Sequence, residues 1–278
     1  MNRYFKLVNF EFNRFLKIYL VLIGITIISQ IIGVIVKSNQ YLNMANDQIQ
    51  GGSMSSSEFI NQYGPISLYE IIQTLWFLGP IALCIVSLII YVFFIWYRDW
   101  LGKNTFVYRL FMLPTARINI YFAKATTVFL MVLGLIALQL LLLPVEAWIL
   151  QWIVPFDFRI DMSIREITGI FHYFAILFPN TIVQFIIHYG IGFMAVFVVF
   201  TAILFERSYR WKGILFGIIY GVLALLLFFA PVLLQATILY EFFYPIELLV
   251  LQMITGLTVI AGSIWMSNYL LNKKIRIW

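Results

Sequence analysis

Six long apolar runs constrain the fold of this 278-residue chain more than any other feature of its sequence. They cover residues 18–36, 71–97, 119–143, 181–205, 213–235 and 246–270. Each is close to the roughly 20 apolar residues with which an α-helix crosses the hydrocarbon core of a bilayer. Only 11% of the residues are charged, whereas a soluble surface usually requires about 25%. The sequence therefore predicts an all-α polytopic membrane protein with about six spans, forming a single transmembrane domain over 1–278.

The basic residues are distributed unevenly between the two sides that six spans define. Fifteen of the 18 Lys and Arg lie before the first span, between the second and third spans or at that junction, between the fourth and fifth, and after the last. The other three are Lys37, Arg159 and Arg165. Cytoplasmic loops carry an excess of Lys and Arg. We therefore expect both termini in the cytoplasm and the chain in a plasma membrane of bacterial type.

The segment 1–17 has a helical polar period ahead of the first span. Its polar residues recur at three- and four-residue spacing, namely Arg3, Lys6, Asn9, Asn13 and Lys17. Apolar residues lie on another face, as in helices that rest at a membrane surface. The period favours an amphipathic elbow helix in the bilayer interface. The alternative is a positively flanked start of the first span.

Motifs for catalysis or cofactor binding are lacking in this sequence. It contains no G-x-x-x-x-G-K-[ST] phosphate loop and no H-E-x-x-H zinc motif, the two patterns expected for nucleotide and metalloprotease chemistry. Its single cysteine, Cys84, has no partner for an intrachain disulfide. Ionisable residues are sparse in the span centres, where ion-coupled transporters usually need them. We expect no enzymatic activity, cofactor, metal or nucleic-acid partner on this chain.

The cytoplasmic loop 98–118 is the most informative connection. A short helix over 106–113 is predicted to end before Pro114, since proline cannot continue a helix in its interior. Together with Arg109 and Arg117, this helix would form a docking surface for a soluble partner. The alternative is a basic loop that only sets the orientation of the spans, and the residues alone favour neither.

Gly213, Gly217 and Gly221 open the fifth span at four-residue spacing. Small residues on one helix face allow two helix backbones to approach closely in a membrane. The stripe could face a second subunit or a neighbouring helix of the same bundle, and its spacing leaves both open.

A family resemblance follows from the motif after the second span. The pattern L-P-x-x-R is present at Leu113, Pro114 and Arg117, followed by Ile120 and Lys124 on the way into the third span. With the amphipathic lead and the six-span layout, the chain resembles, over essentially its whole length, the permease subunits of type-2 ABC exporters.

The resemblance implies a dimer of permease subunits with two ABC ATP-binding subunits, which carry the ATP and magnesium. The loop after the second span would act as a coupling helix seated in a groove of the ATPase. Its contacting residues would be Phe106, Arg109, Leu113, Pro114 and Arg117. The glycine stripe would lie at the dimer interface.

The expected function is therefore that of a permease subunit that couples ATP hydrolysis on a separate chain to export of an amphiphilic substrate. An antimicrobial peptide or a drug is the substrate class that the family suggests, and no substrate residue is assigned. The alternative, from another class, is a non-transporting membrane protein such as a sensor, an immunity factor or a scaffold.

Overall fold

The computed structural model describes residues 3–52, 54–101, 106–170, 176–179, 181–237 and 242–275. The helices of this part are α1 (Arg3–Gln50), α2 (Ser56–Tyr63), α3 (Leu68–Ile72), α4 (Leu75–Trp100), α5 (Phe106–Phe111), α6 (Ile118–Ile153), α7 (Ile164–Ile170), α8 (Ile182–Tyr209), α9 (Trp211–Thr237) and α10 (Pro245–Tyr269). Six of these described helices (α1, α4, α6, α8, α9 and α10) are long and apolar enough to cross a membrane. The prediction of an all-α polytopic chain with about six spans is confirmed as far as helix length and apolar composition define a span.

α1 extends well beyond both ends of the predicted first span. It runs for 48 residues from Arg3 to Gln50, or about 72 Å, more than the full thickness of a bilayer. Residues 3–17 of the predicted elbow are therefore continuous with the span, and the position of the elbow in the interface remains a prediction. α1 continues past residue 36 because residues 37–50 contain no Gly or Pro, and the amide of Gly51 closes the last turn on Asp47 O at 3.0 Å.

The second span begins later than predicted. Residues 71 and 72 belong to α3, which ends where the Thr74 hydroxyl donates to Ile71 O at 2.6 Å. This side-chain bond competes with the helical backbone bonds. The continuous span α4 therefore starts at Leu75, four residues after the predicted start.

Pro80 lies inside α4 and leaves the carbonyl of Trp76 without its helical donor, since proline has no N–H. Ser29 of α1 supplies the missing donor, with its Oγ 3.1 Å from Trp76 O. Gly33 allows this approach, because a Cβ there would lie 2.5 Å from Trp76 Cβ.

The chain forms two compact units, and α1, α4 and α6 contribute residues to both. Unit 1 comprises Met1–Arg14, Leu88–Leu130 and Thr181–Trp278, and unit 2 comprises Phe15–Ser87 and Met131–Asn180. In unit 2, a short parallel strand pair places Ile66 opposite Arg159. The buried side chains of this unit include Val34, Ile72, Phe77, Leu143, Leu150 and Ile167. A reciprocal amide pair, Gln30 with Gln139 at 3.2 Å, joins α1 to α6.

Unit 1 contains the bundle of α8, α9 and α10. Buried hydroxyls connect α8 to α6, where Tyr121 donates to Phe197 O at 3.0 Å, and α8 to α10, where the hydroxyls of Thr201 and Ser267 are 2.9 Å apart. Hydrogen bonds of this kind help to hold membrane helices together. They matter because lipid tails are as apolar as the helix surfaces, so the hydrophobic effect does not drive the helices to associate.

Candidate functional site

The loop between α4 and α6 forms the short helix α5 at one end of unit 1. Its buried residues, Val107, Leu110 and Phe111, recur at three- and four-residue spacing and face the protein. Arg109 is exposed, and Met112 and Leu113 beyond the helix are 73% and 40% exposed. The helix ends at Phe111, two residues earlier than predicted.

The five residues predicted to contact an ATPase divide into two groups. Arg109, Leu113 and Pro114 are exposed. Phe106 and Arg117 are half-buried, and their side chains contact other parts of this chain.

Arg117 binds the last turn of the chain. Its Nη1 donates to Leu271 O at 2.6 Å and to Ile275 O at 3.2 Å, while its guanidinium lies 5.1 Å above the ring of Phe111. Carbonyls at a helix end lack intrahelical donors, and a C-terminal cation is favoured by the helix dipole. Arg117 therefore stabilises the end of the fold.

A cluster of buried charges lies beside the loop helix. Lys124 is fully buried, and its Nζ donates to Glu11 Oε1 at 2.8 Å, Asp99 Oδ2 at 2.5 Å and Ile95 O at 2.9 Å. These three acceptors use all three donors of the ammonium group. The face of Trp96 lies 5.2 Å from Nζ and adds a cation–π contact.

Two arginines complete the cluster. Arg98 is 3.0 Å from Glu11, and Arg14 is 2.6 Å from Asp99 and 3.8 Å from Glu11. The cluster thus joins α1, α4 and α6 within unit 1, and its three cations face two carboxylates. Charges this deeply buried persist in proteins only when each is paired and hydrogen-bonded.

Aromatic stacking connects this ion cluster to the loop helix. Phe106 of α5 stacks on Phe10 of α1 at 5.5 Å, and the Arg14 guanidinium lies 5.0 Å above the Phe106 ring and 5.2 Å above the Phe10 ring. A displacement of α5 therefore acts directly on Arg14, one of the two cations that hold Asp99.

Glu11 and Asp99 were not singled out in the sequence, and Lys124 was used only in the count for orientation and in the motif of the family resemblance. One signal was available, because Lys124 lies inside the predicted third span, where a cation needs a counterion. The remote positions of those counterions, 113 and 25 residues away along the chain, are not visible in any local period.

The glycine stripe of α9 packs partly within the chain. A Cβ on Gly213 would lie 2.1 Å from Phe205 O, and one on Gly217 would lie 2.9 Å from Ala202 O, both on α8. Gly221 has no atom within 4 Å of its added Cβ. The first two glycines thus allow close packing of α9 on α8, and a subunit interface remains a prediction.

No three His, Cys, Asp or Glu side chains of the described residues come together as metal ligands. Comparison of the chain with family models, with curated proteins and with solved structures finds no match. The function is therefore argued from the loop helix and the ion cluster.

Proposed function

We propose that this chain is the permease subunit of an ATP-driven exporter of the type-2 ABC kind. ABC ATP-binding subunits would supply ATP and magnesium, and a second permease subunit would complete the path for an amphiphilic substrate such as an antimicrobial peptide or a drug. The observation that carries the proposal is the loop helix α5, which exposes an apolar and cationic surface while its inner face is anchored to the spans.

The exposed side of α5 has the composition of a protein-binding surface. Arg109 on α5 and the apolar side chains of Met112 and Leu113, which follow the helix, are all open to solvent. Met and Arg are enriched in the cores of protein interfaces. A membrane loop that served orientation alone would not need to expose two large apolar side chains beside its cation.

The anchored side of α5 provides a route for coupling. Movement of the loop by a partner would pull on Phe106, and through Arg14 on the cluster formed with Asp99 and Lys124. Since these residues belong to α1, α4 and α6, three spans would move together with the loop. Packed, charged clusters of this type favour discrete arrangements over gradual deformation.

The contacts at this end of unit 1 support an orientation with both termini in the cytoplasm. Arg3 donates to Pro114 O at 2.6 Å, Arg117 reaches Ile275 O, and Lys274 lies 5.6 Å above the ring of Tyr209. Both described chain ends and two connecting loops therefore lie at one end of this unit. Because most Lys and Arg also belong to these segments, the positive-inside rule assigns this end to the cytoplasm of a bacterial plasma membrane.

The test is co-purification of the full chain from its native membranes after mild crosslinking. An ATP-binding subunit should accompany the wild type and be lost from Arg109→Glu combined with Leu113→Ser. Lys212→Glu is the matched control, because Lys212 is an exposed cation in the first turn of α9. Arg117 is left unchanged because it holds the last turn.

Retention of the ATPase by the double variant would refute the docking surface. Absence of any ATPase from the wild-type complex would refute the exporter and favour the non-transporting alternative, a sensor, immunity factor or scaffold.

A further inference from the structure

A glutamate without a partner is buried in the core of unit 2. Glu146 of α6 is fully buried, and neither oxygen of its carboxyl group has a hydrogen-bond partner among the described residues. It lies three residues after Leu143 and four before Leu150, and both of these leucines belong to the apolar core of this unit. Residues at this spacing share one face of a helix. Glu146 therefore lies on the core face of α6.

The other two buried acids of the described residues have a different environment. Glu11 and Asp99 are paired with Lys124 and with two arginines. These carboxylates can stay charged because cations and hydrogen bonds replace the water that they lose on burial. Glu146 has no such replacement. Burial of an unpaired carboxylate costs far more than burial of the neutral acid, and such a group neutralises itself instead.

α1 places an uncharged polar group at the level of Glu146. Hydrogen bonds between α1 and α6 advance along both helices, so the two helices run in the same direction, and Gln30 pairs with Gln139. From that pair, Ser38 is eight residues farther along α1 and Glu146 is seven farther along α6, each about 10–12 Å. The Ser38 hydroxyl is buried and also has no partner among the described residues. A hydroxyl has no charge that could compensate a carboxylate.

Other titratable groups lie on the elements that form this core, and none is hydrogen-bonded or ion-paired to Glu146. The loop after α6 contributes Asp157, Asp161 and Arg159, and Arg159 is paired with Asp161 at 3.0 Å. α4 contributes none in its first two turns. The remaining ones are Lys37 and Tyr41 within a turn of Ser38 on α1, Tyr69 and Glu70 on α3, and Arg165 and Glu166 on α7. Glu146 therefore has no charge partner in the described part of the chain.

We propose that Glu146 is a proton-binding site. The packing of unit 2 seen in the structure, its closed form, holds this carboxyl group as the neutral acid, and an opening that admits water to the core releases the proton. A proton is the ligand that fits, because it binds to an oxygen that is closed to larger molecules. The inference requires no ATPase and is independent of the proposed transport function.

The proposed orientation assigns the proton to the outer medium. Glu146 is 28 residues after Ile118, the first residue of α6, which is about 42 Å along the helix. The hydrocarbon core of a bilayer is about 30 Å thick. With the start of α6 at the cytoplasmic end, Glu146 lies near the outer boundary of the membrane. Acid in the outer medium would therefore favour the closed form of unit 2.

The sign of the pH effect follows from the number of bound protons. An exposed glutamate is ionised above about pH 5. Above that pH the closed form holds one proton more than the open form, so a rise in pH favours opening. The ratio of open to closed form should rise up to tenfold per pH unit, until the buried acid itself ionises. Below about pH 4 both forms bind the proton, and the ratio should be constant.

Infrared spectroscopy tests the protonation state directly. The full chain is measured in dodecyl maltoside, a detergent without carbonyl groups. The wild type should show the carbonyl stretch of a protonated carboxyl group at neutral pH, shifted in heavy water, and Glu146→Gln should lack this band. Glu70→Gln is the matched control, because Glu70 is an exposed acid of the same unit. It should keep the band.

Amide hydrogen exchange of α6 tests the link to opening. After correction for the pH dependence of intrinsic exchange, exchange around residue 146 should rise up to tenfold per pH unit above about pH 5 in the wild type and in Glu70→Gln. Glu146→Gln and Glu146→Met should lose this dependence, because neither new side chain titrates. The methionine variant should fold even where the glutamine variant does not, since an apolar side chain of similar volume suits this core.

Four results would overturn the proposal. Two come from the infrared spectra: no protonated carboxyl band in the wild type at neutral pH, or a band that remains in Glu146→Gln. The third is a pH dependence of exchange that is equal in the wild type and in both Glu146 variants. The fourth is an opening that depends on sodium or potassium instead of pH, which would mean that a bound cation balances Glu146.

Discussion

Removal of one charge from the buried cluster gives the sharpest prediction. The cluster holds three cations, Lys124, Arg14 and Arg98, against two carboxylates. Loss of Lys124 leaves Glu11 paired with Arg98 and Asp99 paired with Arg14. Loss of Asp99 instead leaves three cations to share one carboxylate, Glu11. We therefore expect the carboxylate variants to be the more damaging.

The magnitudes follow from the partners that remain. Removing one partner of a buried ion pair usually costs about 3–5 kcal/mol of stability. Lys124→Met should lie at the lower end, about 3 kcal/mol, because each carboxylate keeps a guanidinium and only charge-assisted bonds are lost. Asp99→Asn should approach about 5 kcal/mol, because Lys124 is then a fully buried cation with Glu11 as its one carboxylate.

Equilibrium unfolding in mixed micelles with increasing dodecyl sulfate measures both values. Lys17→Met is the control, because Lys17 is exposed on α1 and should change stability by less than about 0.5 kcal/mol. A larger loss for Lys124→Met than for Asp99→Asn would contradict the charge count. If Lys124→Met and Asp99→Asn each lost no more unfolding free energy than Lys17→Met, the cluster would not be buried as the structure shows.

Three further predictions concern the packing of a glycine, the hydrogen bond to a backbone carbonyl and the N-cap of a helix. Gly213→Ala should destabilise the chain by about 1–3 kcal/mol through its clash with a backbone oxygen, whereas Gly221→Ala should leave thermal stability unchanged or slightly raise it. Ser29→Ala should lower the unfolding free energy by about 1 kcal/mol, and Pro80→Ala should suppress this loss by restoring a helical donor. Ser163 precedes α7, and its amide donates to the Glu166 carboxylate at 2.8 Å. Hydrogen bonds from the Ser163 backbone and hydroxyl lower the pKa of Glu166, so the stabilisation of α7 should be present at neutral pH and lost as the pH falls through this lowered pKa. Glu166→Gln should remove that pH dependence of amide exchange in α7.

The six spans could be predicted because lipid imposes a simple requirement on each of them separately. A run of about 20 apolar residues is visible without knowledge of any partner. The ends of the spans were less accurate where a side chain terminates a helix, as Thr74 does by its bond to Ile71 O. The length of α1 was missed because residues 37–50 are polar but free of helix breakers, and polarity alone does not end a helix.

The candidate site was only partly predictable, and two arginines of one loop show why. Arg109 and Arg117 were assigned the same role, contact with a partner. Arg109 is exposed, whereas Arg117 donates to carbonyls 154 and 158 residues further along the chain. Nothing within the loop distinguishes the two, because the distinguishing acceptors, Leu271 O and Ile275 O, lie in the last described turn of the chain.

The cations of this end serve two purposes that act at different stages. Orientation depends on the number of Lys and Arg near the span ends, and acidic residues contribute little to it. By this rule we expect Lys124 to favour a cytoplasmic position during insertion, although Glu11 and Asp99 pair with it in the folded chain. The folded chain then needs those carboxylates, because a buried cation without them is costly. The same residue that helps to set the orientation of the spans thus becomes the centre of the contact between α1, α4 and α6.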